Sequence, residues 1–278
     1  MPHVRLTDLL TRAREERRGI GAMNVIQIEH AEAIVSGAEQ AGRPVVLQIS
    51  ENTAAYHRSL APIALATLRI AEESSAEVNV HLDHATSVDL VHEAVGLGIG
   101  SVMFDASTLP HQENVTQTRA VVEWCHARGV CVEAELGEVG GKDGVHAPGA
   151  RTDPAEAAGY VEATGVDSLA VAVGSSHAML TRDAVLDDDL IAAIAGQVPV
   201  PLVLHGSSGV PDAGLVSAVA AGMTKVNIAT HLNASMTTAV RAALDRDPAL
   251  ADPRKYLGPG RDAVAAEVAR LLGVLAGR

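Results

Sequence analysis

Three histidines each follow a short apolar run of the sequence, at His84, His177 and His205. Imidazoles are common ligands of catalytic zinc, which takes three protein ligands and keeps a fourth position open for water or substrate. A single histidine at the end of a strand is better explained by a hydrogen bond to a loop. Three histidines in equivalent positions favour a catalytic divalent-metal site, if the fold brings the three strand ends together.

A carboxylate, Asp83, stands directly before the first of these histidines, in the segment 78–84 with the sequence VNVHLDH. Side chains alternate between the two faces of a strand, so Asp83 and His81 share one face. A structural carboxylate here would form an ion pair or a cap. Beside a metal site, a carboxylate is suited to accept or donate a proton. We interpret Asp83 as the acid/base group and His81 as a residue that orients its neighbours.

Two more carboxylates, Glu133 and Glu135, share a face of another apolar segment. Two carboxylates that point inward need a cation nearby, because an unpaired buried charge is costly. Lys225 lies on the same face of its segment as Asn227 and one pleat deeper, so it is predicted to be the buried counter-charge. A role for Lys225 as a Schiff-base amine stays open as an alternative.

The elements that must position these residues alternate along the chain. Short apolar runs predict strands over 21–25, 45–49, 78–82, 101–104, 130–135, 168–173, 201–204 and 225–228. Helical patterns lie over 6–17, 29–41, 59–76, 87–97, 111–128, 153–164, 187–195, 211–221 and 231–246. Strands that alternate with helices indicate right-handed βαβ units and a parallel sheet.

Eight such units in about 250 residues match the size of a closed (β/α)8 barrel. We therefore predict a single TIM-barrel domain over residues 1–278, with an N-terminal helix before the barrel and an extra C-terminal helix after it. A doubly wound open sheet is the alternative. It is disfavoured because the first strand leads into Ile26-Gln27-Ile28 without a glycine fingerprint. Barrel enzymes carry their chemistry at the carboxyl ends of the strands, where nearly every predicted strand here has a polar residue.

The chain has 278 residues and a formal net charge of −13. This charge argues against nucleic acid and anionic membranes as partners, since both require basic surfaces. No apolar run approaches the length of a membrane span, and the N-terminus lacks the apolar core of a signal peptide. Cys125 and Cys131 do not make a disulfide framework. We expect a cytoplasmic protein.

Small residues follow the last two predicted strands, in the segments 205–209 (HGSSG) and 227–230 (NIAT). A Gly/Ser turn would explain either segment alone. On a barrel, however, these are the usual positions of a phosphate site made of exposed backbone N–H groups. The pair therefore predicts a phosphorylated small-molecule substrate, which a local nest of N–H groups can bind despite the negative net charge.

Together these segments resemble the class II, metal-dependent ketose-bisphosphate aldolases, which split fructose or tagatose 1,6-bisphosphate. The matching segments extend along almost the whole chain: HLDH at 81–84, SVMFDAS at 101–107, EAELG at 133–137 with Gly140-Gly141, AVGSSH at 172–177, LHGSSG at 204–209, KVNIAT at 225–230 and DPRKYL at 252–257. Each motif alone is weak, and the set is highly specific.

The resemblance implies a carbon–carbon lyase of glycolysis and carbohydrate metabolism. Such an enzyme reversibly cleaves a ketose 1,6-bisphosphate to dihydroxyacetone phosphate and glyceraldehyde 3-phosphate through a metal-stabilised enediolate. It further implies that His84, His177 and His205 bind the catalytic Zn2+ and that Asp83 is the acid/base group. Asp105 and Glu135 match carboxylates that hold a second divalent ion.

The resemblance also assigns residues to the substrate. The implied substrate-binding residues are Asn24, Gln48, Ser50, Ala178, Gly206, Ser207, Ser208, Asn227, Ile228, Ala229 and Thr230. A monovalent cation, Na+ or K+, often accompanies the phosphate site, and members are homodimers or homotetramers, some with a non-catalytic companion subunit.

The chain departs from the family pattern at Ala178, at Lys142-Asp143 and at His231. These departures leave the metal ligands intact but leave the sugar open between fructose and tagatose bisphosphate. Two alternatives remain: an aldolase acting on another phosphorylated ketose, and a barrel companion subunit that has lost catalysis.

Overall fold

The computed structural model describes residues 4–136, 151–175 and 182–277. Its strands are β1 (Ile20–Asn24), β2 (Val45–Ser50), β3 (Val78–Ala85), β4 (Ser101–Phe104), β5 (Cys131–Glu135), β6 (Ser168–Ala170), β7 (Leu202–Leu204) and β8 (Met223–Ile228). Its helices are α1 (Leu6–Glu15), α2 (Ile28–Ala41), α3 (Glu51–His57), α4 (Ala61–Glu73), α5 (Val88–Gly96), α6 (His111–His126), α7 (Pro154–Thr164), α8 (Asp188–Gln197), α9 (Asp212–Ala221), α10 (Thr230–Arg246) and α11 (Pro253–Leu275).

The strands form a closed parallel barrel in chain order, β1 to β8. The barrel closes where β1 pairs with β8, with Ile20 opposite Lys225 and Ala22 opposite Asn227. The predicted TIM barrel is confirmed, including the N-terminal helix α1 and the additional C-terminal helix α11. Since all strands run in the same direction, their carboxyl ends meet at one mouth.

The two faces of the barrel strands differ in character. Outward residues such as Val80 and Leu82 are fully buried in the large apolar cluster shared with the surrounding helices. Inward residues are often polar, and His81, Glu133 and Lys225 are essentially inaccessible to solvent. Barrel interiors usually hold bulky branched side chains. Polar groups in this interior must hydrogen-bond one another, because burial without a partner is costly.

Helix α1 covers the amino-terminal end of the barrel. Leu6, Leu10 and Ala13 of this helix form a second apolar cluster with Ile20 at the start of β1 and Cys131 at the start of β5. The guanidinium of Arg14, at the end of the same helix, donates to the carbonyl of Val198 just beyond α8 at 3.0 Å. The closed end is therefore apolar and the open mouth is polar, which places chemistry at the mouth.

Three local features differ from the sequence-based expectation. Helix α3 was not predicted, although Ser50 caps it by accepting a hydrogen bond from the backbone N–H of Thr53 at 3.2 Å. Strand β6 ends at Ala170 rather than at residue 173. Strand β3 continues past Leu82 to Ala85, with an irregular register against β4 over this interval.

Within the described ranges, no helix combines the length and the apolar character that crossing a membrane requires.

Candidate metal centre and active site

A cavity of about 530 Å³ opens at the carboxyl ends of the strands. Most of the predicted site residues line it: Asn24, Gln48, Ser50, Asp83, His84, Asp105, Glu135, Gly206, Ser207, Ser208, Asn227, Ala229 and Thr230. These residues come from strands on all sides of the barrel, so the closed topology brings together positions that are far apart in the chain. His205 is fully buried, in contact with this group.

Asp83 lies at the cavity wall between two amides. The side-chain nitrogen of Gln48 donates to one carboxylate oxygen of Asp83, and that of Asn227 donates to the other, each at 3.3 Å. Gln48 is held in turn by Asn24, whose side-chain oxygen lies 2.6 Å from the Gln48 nitrogen. Burial by itself would raise the pKa of Asp83, but the positive charges of His84 and Lys225 outweigh it and hold this pKa below its ordinary value. The carboxylate of Asp83 is therefore ionised near neutral pH and held in a fixed orientation.

His84 faces the same cavity as Asp83 although it is the next residue. Strict alternation would send the two side chains to opposite faces of β3. His84 instead has a φ of 50°, in the left-handed region that non-glycine residues seldom adopt. This turn of the backbone, at the register irregularity of β3, lets the carboxylate and the imidazole share one site.

Asp105 orients the ring of His84. The Nδ1–H of His84 donates to Asp105 Oδ2 at 2.8 Å, and Asp105 Oδ1 accepts from the hydroxyl of Ser107 at 2.6 Å. Burial lowers the pKa of His84, but the carboxylates of Asp83 and Asp105 outweigh it and raise the pKa to about 9. A carboxylate that accepts a hydrogen bond from one ring nitrogen is a common arrangement around histidines that bind a metal through the other nitrogen.

Two overlapping groups of side chains have the chemistry of metal ligands. Asp83, His84 and His205 can bring one ligand atom each within 4.8 Å of one another. The rings of His84 and His205 meet edge to face, with centroids 4.6 Å apart. Imidazole nitrogens with a carboxylate oxygen suit zinc and related divalent ions, so this donor set fits the implied cofactor.

The second group consists of His84, Asp105 and Glu135. Glu135 Oε2 lies 3.8 Å from His205 Nδ1, so the two groups are contiguous. A donor set with two carboxylates and one imidazole also fits a divalent ion. Asp105 hydrogen-bonds His84 in this structure, so binding of a second ion by Asp105 would compete with that bond.

A buried ion pair lies beneath His205. Lys225 Nζ contacts Glu133 Oε2 at 2.8 Å, and neither side chain is exposed. The predicted counter-charge role of Lys225 is confirmed by this contact. Glu133 Oε1 also lies 3.1 Å from His205 Nε2. Burial raises the pKa of Glu133, but Lys225 and His205 outweigh it and keep the carboxylate ionised.

His81 does not hydrogen-bond Asp83 or His84 within the described part of the chain. Its Nδ1 instead lies 2.9 Å from the hydroxyl of Ser101, which donates to Asn79 at 2.7 Å. Burial lowers the pKa of His81 to about 3, so the ring is neutral. The expectation that His81 orients its two neighbours is therefore wrong, because the ring points along the barrel interior to β4.

Small residues and helix starts form the opposite wall of the cavity. Gly206 has a φ of 66°, which favours glycine, and a 3-10 turn follows over Ser207–Gly209. Helix α10 begins at Thr230, and the N–H of His231 in its first turn points to the Ser208 hydroxyl at 3.4 Å. Exposed N–H groups at a helix start attract anions such as phosphate.

Three predicted residues need separate mention. Ile228 does not line the cavity: it lies one position beyond the inward Asn227, and its side chain packs in the apolar cluster outside the barrel. The substrate contact predicted at Ile228 stays a prediction, for the backbone of this residue rather than its side chain. His177 and Ala178 lie outside the described residues.

Sequence reasoning missed several cavity residues. They are Glu51, Asn52, Thr86, Ser107 and Thr108. All of them follow the carboxyl ends of β2, β3 and β4, where Glu51 accepts a hydrogen bond from the backbone N–H of Thr86 at 2.6 Å. The rule that barrel chemistry lies just beyond strand ends could have identified them.

Comparison with known proteins identifies the family of this chain. The family model for fructose-bisphosphate aldolase class-II matches residues 4–277. The chain belongs to this family. It is 40% identical to a probable fructose-bisphosphate aldolase of Bacillus subtilis over 268 residues, covering 95% of this chain and 94% of that protein. It is 39% identical to the fructose-bisphosphate aldolase of Geobacillus stearothermophilus over 272 residues, covering 96% and 95%.

Solved structures agree with this family assignment. The YdjI aldolase from Escherichia coli K12 superposes with a TM-score of 0.87 at 30% identity, covering 99% of this chain and 97% of that one. The predicted resemblance is thereby confirmed, and the chain is a lyase of the class II aldolase type.

Proposed function

We propose that this class II aldolase reversibly cleaves a ketose 1,6-bisphosphate, fructose or tagatose, to dihydroxyacetone phosphate and glyceraldehyde 3-phosphate. The observation that carries the proposal is the composition of the mouth. An ionised Asp83 lies beside His84 and His205, and the small residues Gly206–Ser208 with the start of α10 line the same cavity. An acid/base group, metal ligands and a phosphate site are the three parts that this reaction needs.

His84 and His205 would hold the catalytic zinc, with His177 as the third proposed ligand. Zinc bound there supplies Lewis-acid stabilisation of the negative charge that develops at the ketose carbonyl during cleavage. Asp105 and Glu135, with His84, would hold a second divalent ion.

Asp83 acts on the proton of the C4 hydroxyl. Its carboxylate takes this proton, the C4 oxygen forms the aldehyde carbonyl, and the electron pair of the C3–C4 bond moves to the three-carbon half. That half then takes a proton from solvent at C3 to become dihydroxyacetone phosphate. In the reverse direction Asp83 returns the proton to the aldehyde oxygen. The amides of Gln48 and Asn227 keep both carboxylate oxygens in place, so the base does not have to be oriented during the reaction.

The walls of the cavity position the substrate. The segment from Gly206 to Ser208 and the start of α10 at Ala229 and Thr230 would bind the phosphate of the three-carbon half through N–H groups and hydroxyls. Asn24 and Ser50 face the sugar from the β1–β2 side. Binding energy at the phosphate holds the reacting carbons in a fixed orientation.

We further propose that the chain works as one aldolase domain over 1–278, in the cytoplasm and in glycolysis. It would act as a homodimer or homotetramer, joined by a companion subunit if the substrate is the tagatose bisphosphate. Na+ or K+ would bind near the phosphate cradle. Mass measurement in solution, with and without substrate, tests the oligomeric part.

The deciding experiment measures release of dihydroxyacetone phosphate from fructose and tagatose 1,6-bisphosphates. It uses the purified full chain with a chelator, without it, and with zinc added back. We expect cleavage of at least one bisphosphate, loss of turnover with chelator and recovery with zinc. The sugar that is cleaved faster identifies the substrate.

Two results would overturn the proposal. Full activity in chelator, together with borohydride trapping of substrate on Lys225, would assign a Schiff-base mechanism instead. Absence of cleavage by the zinc-loaded chain on every ketose phosphate tested would leave the companion-subunit alternative.

A further inference from the structure

The ion pair beneath the metal centre takes no part in the chemistry proposed above, yet it touches a metal ligand. Lys225, Glu133 and His205 are all fully buried, and they form a continuous row across the barrel interior from β8 to β7 through β5. Burying two charges costs more than burying apolar side chains of the same volume, so stability does not account for the pair. Its position against His205 suggests a role in the site.

His205 can bind a metal through one ring nitrogen only if the other nitrogen carries the proton. Nε2 points inward, 3.1 Å from Glu133 Oε1, while Nδ1 lies 3.8 Å from Glu135 Oε2 at the cavity. A proton on Nε2 would leave the lone pair of Nδ1 directed to the metal group. A proton on Nδ1 would block that group.

Two neighbours compete to decide which nitrogen is protonated. A carboxylate oxygen of Glu133 faces Nε2 and can only accept a hydrogen bond, so this contact requires a proton on Nε2. The side-chain nitrogen of Asn227 also lies 3.2 Å from Nε2. A hydrogen bond donated by this nitrogen would require an unprotonated Nε2. The contact with Glu133 determines the protonation of Nε2, since a charge-assisted hydrogen bond is about twice as strong as a neutral one. Moreover, the Asn227 amide already donates to Asp83.

We propose that Glu133, held in place by its contact with Lys225, is a positioning residue that holds His205 as the Nε2–H tautomer and aims its Nδ1 at the metal site. Lys225 acts through Glu133, because its Nζ bonds the carboxylate oxygen that His205 does not use. The inference rests on the proposed function only in taking His205 as a metal ligand. Carboxylates that fix metal-binding histidines in this way typically change metal affinity 10–100-fold when removed.

The test compares two neutral double variants. Glu133→Gln with Lys225→Met keeps an acceptor oxygen opposite Nε2, whereas Glu133→Leu with Lys225→Met removes it. Both variants lack the buried charges, so the comparison isolates the hydrogen bond. Circular dichroism and thermal melting check that each variant folds.

Two readouts are independent of catalysis. The first is the zinc dissociation constant from chelator competition. We expect it to rise about 10–100-fold in the Leu/Met variant and by a smaller factor in the Gln/Met variant, whose neutral amide oxygen still accepts from Nε2–H. The second is the 15N spectrum of histidine-labelled apoprotein, in which His205 should be the Nε2–H tautomer in wild type and a mixture in the Leu/Met variant.

Equal zinc affinity in the Leu/Met variant and in wild type would overturn the inference. So would an Nδ1–H tautomer of His205 in the wild-type protein, a measurement that needs no variant and stands even if the Leu/Met protein does not fold. Neither readout involves substrate. Failure of wild type to cleave ketose phosphates would therefore refute the proposed reaction and leave this inference standing, and the converse also holds.

Discussion

At the scale of single residues, the site depends on one irregular backbone position. The φ of 50° at His84 places its imidazole beside the carboxylate of Asp83. Residues in such conformations cost of order 1–3 kcal/mol and persist where surrounding contacts hold them. Here the bond from His84 to Asp105 and the two amides on Asp83 supply those contacts. The local strain is the consequence of placing the carboxylate of Asp83 and the imidazole of His84 in one cavity.

The substitution Asp83→Asn tests whether Asp83 is the acid/base group. The amide keeps the shape of the side chain but cannot accept the C4 proton, so we expect turnover to fall about 10²–10⁴-fold. KM should change much less if the phosphate cradle binds the substrate. Steady-state kinetics with the zinc-loaded enzyme measures both quantities. Turnover close to wild type would remove Asp83 from the mechanism.

At the scale of elements, a charged network ties the helices that follow the last strands. Asp212 at the start of α9 bonds Arg182 and Arg270. Arg270 of α11 also bonds Glu267 at 2.7 Å, and Glu267 reaches His231 of α10 at 2.6 Å. The network thus joins α9, α10 and α11 behind the side of the cavity that Gly206–Ser208 and the start of α10 form. Since these side chains are partly exposed, each ion pair contributes only about 0–1 kcal/mol to the free energy of unfolding, as surface ion pairs do.

Asp212→Asn tests this network through its pH dependence. Burial raises the pKa of Asp212, but the two arginines outweigh it and lower the pKa below the value of about 3.9 in an unfolded chain. A lowered folded-state pKa gives stability that is present above about pH 4 and is lost as the pH falls below it. At pH 6 the wild type should therefore have a higher melting temperature than the variant and a free energy of unfolding larger by at most about 1 kcal/mol. Both differences should shrink towards pH 3.

Thermal melts across this pH range measure the difference. Asp89→Asn, at an exposed position of α5, is the matched control for loss of one negative charge. A difference between wild type and the Asp212 variant that does not change with pH would contradict the ion-pair explanation.

At the scale of the whole molecule, the barrel separates a polar mouth from a closed apolar end. Both cysteines lie in the closed and outer parts, and both are buried. Burial raises the pKa of Cys125 to about 11 and that of Cys131 to about 12. A thiol reacts as its thiolate, so these groups are unreactive while the fold is intact. Reaction of either thiol reports opening of the structure.

Alkylation by iodoacetamide at pH 8 tests this prediction. We expect both native thiols to react at least about 100-fold more slowly than an exposed thiol introduced as Ser59→Cys. All three should react in guanidinium chloride. Rapid modification of Cys131 in the native protein would mean that α1 leaves the end of the barrel at low cost. Mass spectrometry of the labelled peptides measures each rate separately.

The sequence by itself determined the barrel, its order and most of the cavity lining. Period-2 and period-3.6 patterns are local, and parallel strands must bring their carboxyl ends to one mouth, so positions such as Asn24 and Thr230 could be predicted to meet. Parity along each strand also predicted the contact between Lys225 and Glu133. The same alternation along β8 directs the side chain of Ile228 away from the cavity, into the apolar cluster outside the barrel.

Only the tertiary structure decided which atoms face each other. The left-handed turn at His84 breaks the alternation on which parity depends, and the direction of the His81 ring follows from the position of Ser101 on the neighbouring strand. Helix α3 and the cavity residue Glu51 were missed because a capped turn after β2 carries a weak periodic signal. The competition between Glu133 and Asn227 for one nitrogen of His205 exists only when three separate strands are packed. Such contacts depend on ångström-scale distances between strands, which residue types and spacing along one chain do not specify.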